Sequence, residues 1–345
     1  MKNLKRVLIA CLLLIFGIGN AQDVHFSQYY ASPLNLNPAF TGVFNGKIRS
    51  NLNYRNQWGG FSNTGAAFQT YAASMDMHIS NIALKRNFLG VGLSVFNDNA
   101  GDGGLYTQNV MFSNSVGINL SKKKRQNILI VGYQFGVLIR GLNYDNLTFG
   151  SQYINDVHDP SAPTGERRFD EFRFGYDLNT GGLWISKPSE IFTFYLGGSM
   201  YHINRPNQSF FKTGEDKIAR RISIHGGAQY SFGRMVDLVP IAAYTMQGLA
   251  NEFLLGMNFM FSDMSLNKDP RKPVIYLGGM SRIGDAFIVT AGVKVNSMKV
   301  GLSYDFNLSP LTQGSRFKGG PEVSFEFVGN IGRRKSNFTI AAPRI

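Results

Sequence analysis

The chain has 345 residues, of which 43% are hydrophobic, 13% aromatic and only 17% charged, with 39 glycines and a formal net charge of +13. Soluble domains usually carry about 25% charged residues, so this composition disfavours a water-solvated globule and fits a surface that meets lipid, with few charges and many aromatic anchors. The positive balance reads as a solvated basic rim suited to anionic headgroups, and nucleic acid is excluded as a partner.

Residues 1–21 carry the pattern of a cleavable leader. Lys2, Lys5 and Arg6 form a basic start, Val7 to Ile18 an apolar stretch, and Gly19-Asn20-Ala21 a small-residue cleavage site, so the mature chain is expected to begin at Gln22. Cys11 sits in a lipobox-like run, but a cut there would leave most of the apolar stretch on the product. Cys11 is the one cysteine, and its loss with the leader excludes a disulfide, a cysteine nucleophile and thiolate metal sites. No later stretch reaches the roughly 18 apolar residues of a spanning helix, so membrane residence has to be as a β-barrel.

Residues 22–47 form a separate N-terminal segment. Phe26, Tyr29, Tyr30, Leu34, Leu36 and Phe40 require burial, while Pro33, Pro38 and Gly42 interrupt any regular element. The segment is expected to pack on or in the barrel, as a structural cap on its periplasmic opening or as a partner-binding strap.

From residue 48 to about residue 332 the chain alternates apolar and polar residues with period two, the signature of half-solvated strands. Ile48, Leu52, Tyr54 and Trp58 alternate with Arg49, Asn51, Asn53, Arg55 and Gln57. The same period recurs at Leu129 to Ile139, Phe253 to Phe261, Phe287 to Val295, Val300 to Phe306 and Val323 to Phe327. Each run approaches the roughly ten residues of a tilted membrane strand. The count is about fourteen antiparallel strands, an even number as bacterial barrels have, beginning near residues 48, 64, 88, 105, 127, 173, 190, 219, 236, 251, 273, 285, 298 and 320.

With residue 22 taken as periplasmic, the long connections 142–172, 204–218 and 308–318 fall outside, and the short ones near 121–126, 186–189, 233–236 and 296–298 fall in the periplasm, as such barrels require. A soluble β-sandwich also alternates. The barrel is preferred because aromatics cluster near strand ends and because ten glycines, among them Gly90, Gly132 and Gly301, fall on inward positions, where they relieve crowding of curved strands. Substitution at inward Thr290 is accordingly expected to be milder than at lipid-facing Val289. Residues 333–345 read as a periplasmic tail.

No enzyme chemistry emerges. His25, His78, His158, His202 and His225 accompany no Gly-x-Ser-x-Gly elbow and have no metal-ligand spacing. Asp98 to Gly103 has the oxygen-rich composition of a calcium loop but lacks the terminal bidentate Glu, so it reads as a turn; Asp156, Asp159 and Glu166 make a similarly weak case. Lys122 to Arg125 reads as a solvated turn. No catalytic residue, metal or cofactor is expected. Arg49, Arg55, Arg140, Arg173, Arg221, Lys294 and Lys299 fall on inward positions against Asp177, Asp305 and Glu326, which predicts a basic lumen able to favour anions or to grip a protein segment. Charge reversal of Arg49, Arg55 and Arg221 should then weaken a partner complex and spare the barrel.

The N-terminal segment also carries a family resemblance. His25, Phe26, Ser27, Gln28, Tyr29, Tyr30, Pro33, Asn37, Pro38, Ala39, Phe40 and Gly42, followed by Tyr54, Arg55, Gln57 and Trp58, resemble the signature of the PorP/SprF family of outer-membrane proteins of type IX secretion and gliding motility. Lys318, Gly320, Val323 and Phe325 resemble a terminal barrel-insertion signal. The chain departs from the family's Cys-Pro-Arg-aromatic ending, having Ala342-Pro343-Arg344-Ile345. The resemblance implies an outer-membrane barrel with one of two roles. It either holds the C-terminal domain of a large secreted adhesin for export or surface retention, or serves the secretion machinery through periplasmic, peptidoglycan-associated components.

Overall fold

Alternation builds every wall strand of the structure, a computed structural model. It describes residues 23–330 except 24, 58, 60–67, 81–86, 102, 122–125, 145–146, 155–156, 166–171, 212, 234, 263–272, 310–311 and 313–315. The leader 1–21, the tail 333–345, Trp58, Asp102, the Lys122 to Arg125 run, Asp156 and Glu166 therefore lie outside the described residues.

The strands are β1 (Ile48–Gln57), β2 (Phe68–Ser80), β3 (Phe88–Ala100), β4 (Leu105–Asn119), β5 (Gln126–Gly141), β6 (Tyr153–Ile154), β7 (Val157–His158) and β8 (Phe172–Lys187). They continue as β9 (Phe192–Tyr201), β10 (Arg221–Phe232), β11 (Val236–Gln247), β12 (Ala250–Phe261), β13 (Val274–Arg282), β14 (Ala286–Val295), β15 (Met298–Asn307) and β16 (Lys318–Gly329). Fourteen of them close an antiparallel barrel in chain order, β16 pairing with β1, while β6 and β7 form a small hairpin of their own in the connection between β5 and β8. Closure leaves no sheet edge to hydrogen-bond with lipid.

The face assignment follows the sequence. In β1, Leu52 is 55% exposed on the outside, while Arg49, Asn51, Asn53 and Arg55 are buried inside. Phe253, Leu255, Phe287, Val289, Val300 and Leu302 are likewise exposed on the outer wall. This wide apolar exterior is what a barrel in a bilayer presents.

Strand direction alternates, so β1 starts at the end that carries the tight turns after β8, β10 and β14, and the connections 142–171 and 202–220 lie at the opposite end. On the tight-turn end, 81–87 and 262–273 are longer than the other turns, so the expected asymmetry is not uniform.

The interior departs from a polar, water-filled lumen. Phe88, Ile128, Ile130, Leu183, Ile185 and Tyr195 point inward and pack around Ala39, Phe40 and Val43 of the N-terminal segment. A second cluster joins Val239, Ile241, Leu254, Met260, Met280 and Ile288 to Tyr29. Runs such as Ile128 to Val131 are apolar on both faces because one face meets lipid and the other this internal core.

Candidate functional site: the luminal segment and the outward mouth

The N-terminal segment fills the barrel instead of capping its periplasmic end. Its backbone is made of short turns: a 3-10 turn at Tyr29–Ala31, one helical turn at Pro33–Leu36 and a second 3-10 turn at Pro38–Phe40. Proline opens the last two, at positions whose N–H would lack a helical partner. Between them Asn37 caps the Pro38 turn, its Oδ1 accepting from Ala39 N at 2.8 Å. The other half of the same amide faces the wall. Asn37 Nδ2 donates to Gly182 O at 3.0 Å and Gly198 O at 3.1 Å, and lies 3.1 Å from His225 Nε2. One side chain thus sets the local turn and fixes its place in the barrel.

Irregular backbone buried in a barrel needs hydrogen-bond partners from the wall, and inward polar residues supply them. Glu322 accepts from Ser27 N at 2.7 Å and Gln28 N at 3.0 Å. Ser27 Oγ donates to Asp305 at 2.7 Å, a carboxylate placed beside the register shift between Asp305 and Phe306. Gln28 lies between Ser303 and Ser324. Leu34 O accepts from Gln134 and Tyr201, each at 2.9 Å, and Leu36 O from Ser199 at 2.8 Å. Gly42 N donates to Asp76 at 2.7 Å.

Wall glycines make room for this backbone. A Cβ on Gly90 would stand 2.1 Å from Thr41 O, one on Gly132 2.4 Å from Ala39 N, and one on Gly181 2.0 Å from Asn37 Oδ1. The inward glycines therefore serve close approach of the luminal segment as well as strand curvature. Gly42 adds a positive φ of +74°, and its own Cβ would fall 2.7 Å from Gly90 Cα.

The basic residues expected to line an open lumen are mostly engaged by this segment. Arg49 binds Asp76 through two nitrogens, at 3.0 and 2.8 Å, and Phe40 O at 3.0 Å. Arg55 pairs with Asp305 at 2.9 Å and donates to His25 O. Arg221 lies 3.5 Å from Asp23, donates to Asn35 O at 3.2 Å and stacks over Tyr201. Lys299 sits over the rings of Tyr30 and Tyr276, across the strand pair from Lys294 and Glu326. Arg173 ties the outer connection, donating to Ser209 O and Phe211 O. Arg140 alone of the set lines the remaining cavity at the outward end without engaging the segment.

The expected excess of lumen cations is reduced, although Arg282 adds one more buried cation, paired with Glu252 and Asp305. Asp76, Asp98, Glu252 and Glu322 join Asp177, Asp305 and Glu326 on the inward face, where the first two and Glu322 are buried. Buried guanidiniums of this kind require paired carboxylates, which is the physical reason the acids are there. Tyr54 of the signature points the other way, its ring 4.9 Å from Tyr71 on the outer wall, while its neighbour Arg55 reaches the segment.

Asp23 lies at the end of the barrel that carries the connections after β5 and β9, opposite the tight turns after β8, β10 and β14. Its backbone N donates to Gln247 at 2.7 Å, and its carboxylate meets His202 Nε2 at 2.8 Å, with Asp177 3.0 Å from the other ring nitrogen. The chain therefore runs the length of the lumen from Asp23 down to Lys47, where Lys47 O accepts from His78 N and β1 begins. Burial alone would depress the His202 imidazole, but the flanking carboxylates of Asp23 and Asp177 raise it to about 9. Since this exceeds the ordinary 6.5, the tether contributes fully below that value and is lost as pH rises through about 9. Burial, with Arg282, Arg55 and Arg221 nearby, lowers the His25 imidazole well below its ordinary value, and Glu252 lies 3.2 Å from its Nδ1.

Asp98 belongs to β3 and accepts from Thr70 at 2.7 Å, so it faces the lumen and not a calcium loop; beyond the strand Gly104 N donates to Gly101 O at 3.2 Å. Among the described residues no cluster of metal-ligand side chains occurs. Sequence reasoning missed Gln134, Tyr201, Glu322 and Asp76 as seats for the segment, although polar residues isolated in apolar-flanked strands were the available signal.

A closed, antiparallel barrel with an apolar outer wall and its own N-terminal segment through the lumen is a plugged outer-membrane β-barrel. Solved structures with similar barrels include the CymD monoaromatic hydrocarbon channel, at 11% identity over 92% of this chain and 96% of that one, with a TM-score of 0.46. A FadL homologue of Pseudomonas aeruginosa is 11% identical over 84% and 91%, at 0.44. The toluene transporter TodX of P. putida is 9% identical over 86% and 93%, at 0.41. At such identities and scores they carry no information on what this chain binds. No curated protein sequence matches the chain. The family model described as type IX secretion system membrane protein PorP/SprF matches residues 18–327, and the chain belongs to that family.

Proposed function

We propose that this outer-membrane barrel is a non-enzymatic cargo holder of type IX secretion, binding the C-terminal domain of a secreted adhesin and supporting its export or surface retention. The observation that carries this reading is the occupied lumen. Arg49, Arg55 and Arg221 are turned to the chain's own segment and core, which speaks against a passive anion channel and leaves the outward mouth as the polar surface offered to a partner. At that mouth Gln208, Ile218 and Ala219 of the connection after β9 line the cavity. Charge reversal of Arg49 or Arg55 is accordingly expected to unseat the luminal segment, and is no longer a clean test of partner binding.

Deletion of the gene should release or trap one adhesin while other secreted enzymes still reach the medium, and that adhesin should co-purify with the intact barrel. Loss of all type IX export, with no adhesin on the purified barrel, would replace this reading with that of a machinery accessory contacting periplasmic components.

A further inference from the structure

Above the luminal segment a cavity of about 360 Å³ opens between the segment and the wall. Strand register lays two rows across its side. The upper row runs Thr70, Asp98, Thr107, Arg140, Arg173, and the lower Ala72, Phe96, Asn109, Leu138, Gly175. Asp98 is occupied by Thr70 and Arg173 by the carbonyls of Ser209 and Phe211. Arg140 is different: its Nε is buried without a hydrogen-bond partner, and among the described residues its guanidinium forms no ion pair, although it feels Asp23 and Asp216 at longer range. The Oδ1 of Asn109, diagonal to Arg140 on the adjacent strand, is likewise buried without a partner. Beneath them Phe96, Met111 and Leu138 form an apolar floor, with Phe26 of the luminal segment edge-on to Phe96.

An unengaged donor fork and an unengaged acceptor over an apolar floor define a ligand by subtraction, because each such group costs free energy until it is paired. We infer that this cavity binds the free C-terminal residue of a peptide. The carboxylate would take the Arg140 guanidinium, the residue's amide N–H would donate to Asn109 Oδ1, and an apolar side chain would lie on Phe96, Met111 and Leu138. Asp98, on the same row, opposes a second negative charge and selects a monoanion over phosphate. The choice of a peptide over a simple fatty acid follows from Asn109, which offers an acceptor that a carboxylate without a further donor leaves unpaired, and that a peptide N–H satisfies. The inference rests on the outward mouth being the face presented to a secreted protein.

The test uses the full-length barrel in detergent and a fluorescein-labelled pentapeptide ending in Phe with a free carboxylate, read by polarisation. The free acid should bind, and its C-terminal amide should bind about tenfold or more weakly, the size of a lost charge-assisted hydrogen bond. R140Q should cause a similar loss with R140K recovering part of it, provided both variants keep the heat-modifiable mobility of a folded barrel. N109A should weaken the peptide as well. Equal binding of acid and amide, or no binding of the acid by the folded wild type, would overturn the inference. Displacement by decanoate that depends on Arg140 but not Asn109 would overturn it in favour of a lipid acid. Failure of the cargo reading is separately visible: peptide binding that survives in vitro, with adhesin retention unchanged in an R140Q strain, keeps the site and removes its role in retention.

Discussion

At the residue scale, the family signature becomes a set of seats. Asn37 is asparagine because its oxygen caps one turn while its nitrogen reaches two wall carbonyls; aspartate would bring a charge and no donor. Gly132 is glycine because the Pro38–Ala39 backbone passes where its Cβ would be, whereas Gly182 has nothing nearer than Ile130 O at 3.9 Å. G132V should therefore shift the segment and open an ionic leak in lipid bilayers, while G182V should stay closed. A leak from both, or from neither, would mean that the close approach at Gly132 is not what seats the turn. Residue types that needed burial were legible in Phe26, Tyr29, Leu34 and Phe40, but their partners were not. Ser27 and Glu322 are 295 positions apart, and no local pattern announces that pairing.

At the element scale, strands were legible in detail and the luminal segment only in its burial on or in the barrel, for one reason. A strand writes its environment into a two-residue period, so starts expected near 48, 88, 105, 236 and 298 coincide with those of β1, β3, β4, β11 and β15. The segment consists of isolated turns with no period, so its burial could be inferred and its location could not. That difference changes one expectation. Val289 is 44% exposed on the outer wall, and V289R should cost about 2–4 kcal/mol near the bilayer midplane. Thr290 is not on a wet lumen: it is 5% exposed, donates to Asn258 at 3.0 Å and lies opposite Gly278 in register. T290R would bury an unpaired charge and overfill the core, so urea unfolding should show a loss at least as large as for V289R. A fully tolerated T290R would mean that water, and not packed side chains, surrounds Thr290.

At the scale of the whole molecule, the barrel has two apolar surfaces, one toward lipid and one toward its own N-terminal segment, and this separates it from an open pore. The sequence supported a basic, accessible lumen because Arg49, Arg55 and Arg221 could be placed inward by period, while Asp76, which pairs with Arg49, and Asp23, which lies 3.5 Å from Arg221, were not recognised as luminal. Ion pairs read from only one partner look like a free charge. The central claim, that residues 23–47 close the barrel, is tested most directly by single-channel recording of the purified protein in planar bilayers. The full-length mature chain should give no sustained conductance, and a variant lacking residues 25–42 that still folds into a heat-modifiable barrel should give a stable open level. A sustained open conductance from the intact chain, unchanged by that deletion, would contradict the account.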